Sequence, residues 1–444
     1  MASNAKNLAE YLNNETTSAS ADIADGSITT DKLAADAVTA AKLADNAVVS
    51  ANLSAGTLEG SGVNLGRRNL VINGAMHVAQ RGTSSTAAGY QTVDRMSVGF
   101  AGHDEAPTIS QADVASGTPA YTTGFRKSLK IQNGNQTSGA GAADELALTY
   151  SFEGQDIFNS SWDVSSTSSY VTLSFWVKSS VAQQFQTNVR LYGPANGNQR
   201  EFAFAYTLSA NTWTKVTKSI PGHASNTVRG DNALGMFLQF PMFWGTNYTA
   251  NARNHDTWEA KNNAQNMKDY VSTWWTTNDA TWEITGIQLE VGSTATDFEH
   301  RSFQEELDLC HRYFYNGITA NGTGTYGAFP INFRNFVSTG NNGHIAFTIA
   351  LPKPMRTIPT FTHDLANSNH AGSGVGANAD NWQFYMQNQG WGSFAGNGNM
   401  NTLSRQGSSD AQVQLGTYYI SPSSTSVDQL TIGSNRKFHF SAEL

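Results

Sequence analysis

The sequence predicts a mainly β protein, in which an intertwined trimeric repeat shaft is followed by a jelly-roll β-sandwich, a short junction helix and a C-terminal β-sandwich tip. Three observations predict this class: aliphatic residues recur every five positions near the N-terminus, short alternating strands fill the centre, and one well-capped helix interrupts them. Charged residues make up 14% of the 444 residues, against about 25% in an average domain. This composition is typical of a loop-rich β protein with a polar, weakly charged surface.

The first element, within residues 1–20, is a short predicted helix. Ser3 provides an N-cap, and Leu8, Tyr11 and Leu12 share one helical face. An isolated helix of this length is unstable in water. The segment is therefore predicted to attach the chain to a larger assembly, and the alternative is a frayed terminus.

Residues 21–65 carry decad repeats with an aliphatic residue at every fifth position, including Ile28, Leu33, Val38, Leu43, Val48 and Leu53. Steps of five rotate by about 140° on an α-helix and alternate between the two faces of a strand. A single chain therefore cannot bury this pattern, whereas several chains around a common axis can. We predict a homotrimeric shaft with these residues on its axis; the alternative is a disordered linker.

Residues 66–300 are predicted to form the sandwich, because short stretches with two-residue periodicity follow one another without helical patterns. The clearest predicted strands are 68–76, 171–177, 202–206, 212–216 and 282–289. A polar segment lies within this part, and residues 259–273 are predicted to be partly helical.

Residues 301–316 are predicted to contain the junction helix, at 303–313. Ser302 and Glu305 have the spacing of a capping box. The predicted buried stripe consists of Phe303, Leu307, Cys310 and Phe314. Residues 317–444 are again strand-rich, most clearly at 344–351 and 437–441, and are predicted to form the tip.

Net charge and cysteine content exclude several classes of protein. A formal charge of -8 provides no basic surface for nucleic acid. The single cysteine, Cys310, excludes an intramolecular disulfide framework. No signal peptide or membrane-spanning apolar run is apparent, so we expect folding in a reducing cytoplasm without membrane insertion.

The chain resembles bacteriophage tail fibre proteins that contain a jelly roll similar to carbohydrate-binding modules. The decads look like the repeats of phage fibre shafts, and the string from Gln288 to Tyr313 resembles the junction that ends the jelly roll in tail fibres. Further similarity lies at 68–74, 80–82, 93–95, 173–178, 212–216, 220–222 and 441–444. The resemblance implies a trimeric virion component, made in the host cytoplasm, that joins other tail proteins through its N-terminal segment. It also implies contact with a glycan or an outer-membrane protein of the host surface.

Two aromatic clusters are candidate glycan-binding sites, because aromatic faces stack on sugar C–H groups while amide side chains bind hydroxyls. The preferred cluster, in the predicted tip, consists of Asn381, Trp382, Tyr385, Gln387, Trp391 and Phe394. The second consists of Trp258, Trp274 and Trp275. Each ring has the alternative role of a core or trimer-interface residue.

A polysaccharide-degrading tail spike is the main alternative function, and a purely structural tail component is another. Hydrolysis requires two carboxyl groups several ångströms apart, and the candidate acids are Asp144, Glu145, Glu153, Asp156 and Asp364. No nucleophile elbow or zinc-binding spacing is found, so we expect no enzymatic activity and no cofactor. A structural calcium ion is an open alternative, with Asp94, Asp144, Glu153, Glu290 and Asp297 as its candidate ligands.

Overall fold

The computed structural model describes residues 68–249, 253–268, 272–317, 337–339, 342–363, 383–386, 390–393, 404–409, 412–420, 430–433 and 438–444. The predicted attachment segment 1–20 and the shaft 21–65 lie outside the described residues. This applies to every residue of the predicted trimer axis: Ile28, Leu33, Val38, Leu43, Val48 and Leu53.

Twelve strands between residues 84 and 291 build two sheets. In chain order they are β1 (Ser84–Ser85), β2 (Met96–Ala101), β3 (Thr108–Asp113), β4 (Lys127–Gln132), β5 (Glu145–Glu153), β6 (Tyr170–Ser179), β7 (Gln183–Leu191), β8 (Arg200–Leu208), β9 (Thr214–Pro221), β10 (Leu234–Trp244), β11 (Trp258–Ala260) and β12 (Thr281–Val291). Short helices interrupt them at α1 (Pro119–Thr122), α2 (Gly154–Phe158) and α3 (Thr273–Thr276).

The two six-stranded antiparallel sheets form a β-sandwich. One sheet has the order β1-β3-β4-β12-β6-β9, and the other has the order β11-β8-β7-β10-β5-β2. The chain crosses repeatedly from one sheet to the other, as it does in jelly rolls. The predicted β-sandwich is therefore confirmed for this part of the chain.

The core lies between the sheets because alternate residues of each strand point inward. The ring of Phe240 on β10 lies 5.2 Å from that of Phe175 on β6 and 6.2 Å from that of Trp282 on β12. All three side chains are almost fully buried, and burying each contributes about 1.5–3 kcal/mol. The predicted strands at 171–177, 202–206 and 282–289 are confirmed as parts of β6, β8 and β12, and the strand predicted at 212–216 begins two residues later, as β9.

Two predicted elements of the sandwich are wrong. Residues 68–76 form no strand, because buried Asn69 binds the backbone of Val71, Ile287 and Leu289 through its side chain. No helix spans 259–273 as predicted: among the described residues of this range, β11 ends at Ala260, a 3-10 turn follows at Asn263–Gln265, and α3 begins at Thr273. In both segments, side-chain amides satisfy backbone groups that a regular element would have paired.

The junction helix α4 (Phe303–Cys310) has the predicted capping box, in which Ser302 and Glu305 bind each other's backbone N–H groups. It ends three residues earlier than predicted. Cys310 is buried against Ile72, Val78 and Tyr313, with Leu307 packed beside them. Phe303 is 56% exposed, so its assignment to the buried stripe is wrong.

The C-terminal part has ten strands among the described residues. They are β13 (Phe314–Gly317), β14 (Val337–Thr339), β15 (Asn342–Ala350), β16 (Thr360–His363), β17 (Gln383–Met386), β18 (Gly390–Ser393), β19 (Ser404–Ser409), β20 (Gln412–Ile420), β21 (Leu430–Gly433) and β22 (Phe438–Ser441). They form three antiparallel sheets, with the orders β13-β22-β16, β14-β15-β20-β19 and β18-β17-β21. β15 and β22 confirm the two strands predicted most clearly here.

The end of the chain returns to the sandwich. β22 pairs with β13, the strand that follows α4. Beyond β22, Glu443 forms ion pairs with Arg95 and Arg81, and the Tyr90 hydroxyl donates to the carbonyl of Leu444. We call this place the neck; it consists of β13, β22 and Glu443 with its partners Arg81 and Arg95. Among the described helices, none is long and apolar enough to span a bilayer.

Candidate functional site

The preferred glycan-binding cluster lies partly within the described backbone. Tyr385 is in β17 and Trp391 is in β18, and these strands pair with Tyr385 directly opposite Trp391. The other four predicted residues lie outside the described residues: Asn381, Trp382, Gln387 and Phe394.

Strand register divides the sheet β18-β17-β21 into two chemically different faces. Residues paired directly opposite share a face, and neighbours along a strand alternate. One face has the apolar positions Phe384, Met386, Leu430 and Ile432. The other face has Gln383, Tyr385, Trp391, Ser393 and Thr431. We call this second face the aromatic face. Its positions hold two aromatic residues, one amide residue and two hydroxyl residues, which are residue types that commonly bind sugars.

The second predicted patch is contradicted by burial. Trp258, Trp274 and Trp275 are 5%, 0% and 1% exposed and belong to the sandwich core. Their indole N–H groups donate to the carbonyls of Pro221, Thr281 and Gly139, respectively. Rings that are covered and satisfied in this way have no free face for a sugar, so this patch is not a surface site.

A polar cleft lies where the edge strand β11 pairs with β8. Its volume is about 690 Å³, and it is lined by Gln199, Glu259, Lys261, Asn262, Asn263 and Gln265. The backbone N–H of Lys261 donates to the carbonyl of Gln199, which fixes one wall against the other. Sequence reasoning treated this segment as a helix and therefore missed the cleft.

A buried charge cluster lies beside this cleft. Glu201 is fully buried and forms ion pairs with Arg190 at 2.6 Å and with Arg253 at 3.4 Å. Arg190 is opposite Glu201 in the β7–β8 hairpin, and Arg253 also donates to the carbonyls of Gln265 and Glu201. Two buried guanidinium groups therefore share one carboxylate.

Lys261 is affected by this cluster. Burial, together with the positive charges of Arg190 and Arg253, lowers the pKa of the Lys261 ammonium to about 8. The ammonium donates to the amide oxygens of Asn263 at 2.5 Å and Asn266 at 2.7 Å. In the part of the chain that the structure describes, no carboxylate forms an ion pair with it.

The candidate catalytic acids are engaged in other contacts. Glu153 accepts hydrogen bonds from Arg312 at 2.6 and 2.7 Å and from the Tyr313 hydroxyl at 2.7 Å. Burial alone would raise the pKa of Glu153, but these hydrogen bonds lower it below its usual value. Asp144 accepts from the backbone N–H of Gly141. Glu145 lies at the start of β5, Asp156 lies in α2, and Asp364 lies outside the described residues.

The candidate calcium ligands are not brought together. Asp94 contacts Gln80 and Arg81, whereas Glu290 accepts from Thr296, and the Asp297 carbonyl accepts from Arg68. Within the described ranges, no group of three acidic, histidine or cysteine side chains has the arrangement of a metal site.

Comparison with known proteins gives low similarity throughout. No protein-family model and no curated protein matches the sequence. Among solved structures, tailspike protein 4 of bacteriophage CBA120 aligns with 50% of this chain at 10% identity and a TM-score of 0.28, and the alignment covers 21% of that chain.

Two further alignments involve binding modules. The family 11 carbohydrate-binding module from Clostridium thermocellum aligns with 48% of this chain and 98% of its own, at 11% identity and a TM-score of 0.24. The N-terminal cellulose-binding domain of Cellulomonas fimi β-1,4-glucanase C aligns with 49% of this chain and 99% of its own, at 10% identity and a TM-score of 0.24. TM-scores this low do not indicate a function for this chain. The evidence for a binding site is therefore limited to the residues described above.

Proposed function

We propose that the protein is a component of a bacteriophage tail fibre that binds a glycan on the host cell surface. The repeats of residues 21–65 and the resemblance of the junction to tail fibres support the fibre assignment. The rigid sandwich and the aromatic face of β18-β17-β21 support a binding role. In this proposal the chain is a homotrimer in the virion, and its N-terminal segment joins other tail proteins.

The register of one hairpin is the observation on which this proposal mainly depends. Tyr385 is paired directly opposite Trp391, so both positions belong to the face that alternates with the apolar positions Phe384 and Met386. Two aromatic residues together with Gln383 on the opposite face fit stacking on a sugar ring and hydrogen bonding to its hydroxyls.

We propose binding without catalysis. Glu153 was the most buried of the candidate acids, and its two carboxylate oxygens are held by Arg312 and Tyr313. A carboxylate held in this way cannot easily act as a general acid, because its low pKa favours the ionised form.

Substitution of the two aromatic residues tests the proposal. We expect Tyr385→Ala and Trp391→Ala each to weaken binding of the full-length protein on a glycan array by about tenfold or more, since central aromatic contacts dominate binding energy. Phe158→Ala is the matched control, because Phe158 is 62% exposed and lies in α2, outside the predicted site.

All three variants should keep the wild-type circular dichroism spectrum and melting temperature. Equal glycan binding by Trp391→Ala, Tyr385→Ala and the Phe158→Ala control would contradict the proposed site. Glycan release from purified host polysaccharide by the wild-type protein would instead support the tail-spike alternative.

A further inference from the structure

The cleft beside β11 has the features of a second binding site. Its lining consists almost entirely of polar side chains, and amide groups predominate among them. Asn262, Asn263 and Gln265 lie on one segment, and the 3-10 turn that contains Asn263 and Gln265 is capped by the Asn262 side chain. Gln199 lies on the opposite wall, just before β8. Amide side chains both donate and accept hydrogen bonds, so this lining suits a ligand with many hydroxyl groups.

Positive charge exceeds negative charge around the cleft. Arg190 and Arg253 both form ion pairs with Glu201 on β8, and Lys261 follows Ala260, which lies opposite Arg200 in the β11–β8 pairing. Glu201 and Glu259 oppose these positive charges. Uncompensated charge of one sign in a partly desolvated site favours a ligand of the opposite sign.

The cleft lining contains polar groups with unused hydrogen-bonding capacity. One carboxylate oxygen of Glu259 is buried and, among the residues that the structure describes, has no donor. Lys261 uses two of its three N–H donors on neutral amides. Buried polar groups without partners are uncommon in folded proteins.

We propose that this cleft binds a sugar that carries an anionic group, either a carboxylate or a phosphate. Lys261 would contact the anionic group, and the amides of Asn262, Asn263 and Gln265 would contact hydroxyls. A bare anion would use Lys261 and the amide N–H groups but would leave the amide oxygens unused, whereas sugar hydroxyls can donate to those oxygens.

This inference rests on the proposed function in one respect, namely that the ligand is a glycan. It uses different residues from the aromatic face at Tyr385 and Trp391. The two proposals can therefore be tested separately. A protein without the cleft site would still bind glycans through β18-β17-β21, and a protein without the aromatic face would still bind through the cleft.

The test is isothermal titration calorimetry of the full-length protein with glucuronic acid, glucose 6-phosphate, glucose and inorganic phosphate. We expect one or both anionic sugars to bind at least about tenfold more tightly than glucose, because a charge-assisted hydrogen bond is lost with the neutral sugar. Glucuronic acid and glucose 6-phosphate distinguish carboxylate from phosphate. We expect inorganic phosphate to bind more weakly than the preferred sugar.

Lys261→Gln should weaken binding of the preferred anionic sugar by about tenfold or more and leave binding of glucose unchanged. Lys215→Gln is the matched control, because Lys215 is exposed on β9 in the other sheet. Equal affinities of wild-type protein and Lys261→Gln would overturn the inference. Absence of binding by both anionic sugars, or equal affinities for glucose or inorganic phosphate and the anionic sugars, would also overturn it.

Discussion

Asp94 is a buried carboxyl group whose protonation affects stability. It is 1% exposed, accepts from the backbone N–H of Gln80 at 2.9 Å, and lies 3.9 Å from the Arg81 guanidinium. Burial raises the pKa of Asp94 to about 6, although Arg81 and Gln80 act to lower it. The folded chain therefore binds this proton more tightly than the unfolded chain does.

We expect Asp94 to make the protein more stable at mildly acidic pH. Because the folded pKa is the higher one, the stability from protonation is complete below pH about 4 and is lost as the pH rises through about 6. Urea unfolding at pH 5 and pH 7 should show that wild-type protein gains about 1.3 kcal/mol more stability toward pH 5 than Asp94→Asn does.

The comparison with Asp94→Asn is needed because other groups titrate in the same range. Burial lowers the pKa values of His77, His255 and His311, so their protonation destabilises the fold as the pH falls. The difference between the two proteins isolates Asp94. An identical pH dependence for both would show that Asp94 does not titrate as described.

Individual residues were the least predictable part of the site. The sequence could not distinguish a sugar-binding ring from a core ring, since Trp258, Trp274 and Trp275 lie in a polar stretch yet point into the sandwich.

The buried charge cluster of Arg190, Glu201 and Arg253 was also missed by the sequence analysis. Arg190 and Glu201 are brought opposite each other by the β7–β8 register, and no strand was predicted at Arg190, so the sequence carried no signal for this pair.

At the scale of elements, the neck holds the C-terminal end of the chain on the sandwich. Arg95 is 1% exposed, forms an ion pair with Glu443, and lies 3.4 Å from the centre of the Tyr313 ring. Arg81 reaches the same carboxylate at 3.2 Å. These contacts join β22 and the residues after it to the segment before β2.

We expect Glu443→Ala to destabilise the folded protein by about 3–5 kcal/mol, because it leaves the buried Arg95 charge without its partner. Asp113→Ala is the matched control: Asp113 pairs with Lys127 at 2.6 Å, but its side chain is 82% exposed, so little change is expected. Denaturant unfolding measures both, and equal stability of the two variants would contradict a stabilising role for the neck.

Elements defined by local periodicity could be predicted from the sequence. β6, β8 and β12 alternate apolar and polar residues clearly, and α4 has a capping box, because two-residue periodicity and caps are local properties. Residues 68–76 looked like a strand, but the partners of Asn69 lie more than 200 residues away at Ile287 and Leu289. Such non-local bonds cannot be seen in a single sequence.

The whole molecule contains a β-sandwich and a strand-rich C-terminal part, and a repeat shaft is predicted before them. The five-residue period predicts threefold assembly, which would present three copies of the aromatic face on one particle. Linked weak sites bind a surface much more tightly than single sites do. A modest affinity of each site for a sugar would then be sufficient for attachment to a cell.

Binding of the labelled full-length protein to bacterial cells shows whether the proposed receptor is a glycan. Cells from a binding strain are compared before treatment, after periodate oxidation of surface sugars, and after protease digestion. We expect periodate to abolish binding and protease to leave it unchanged, because the proposed receptor is a glycan. Binding that survives periodate but is lost after protease would contradict the account and indicate a protein receptor.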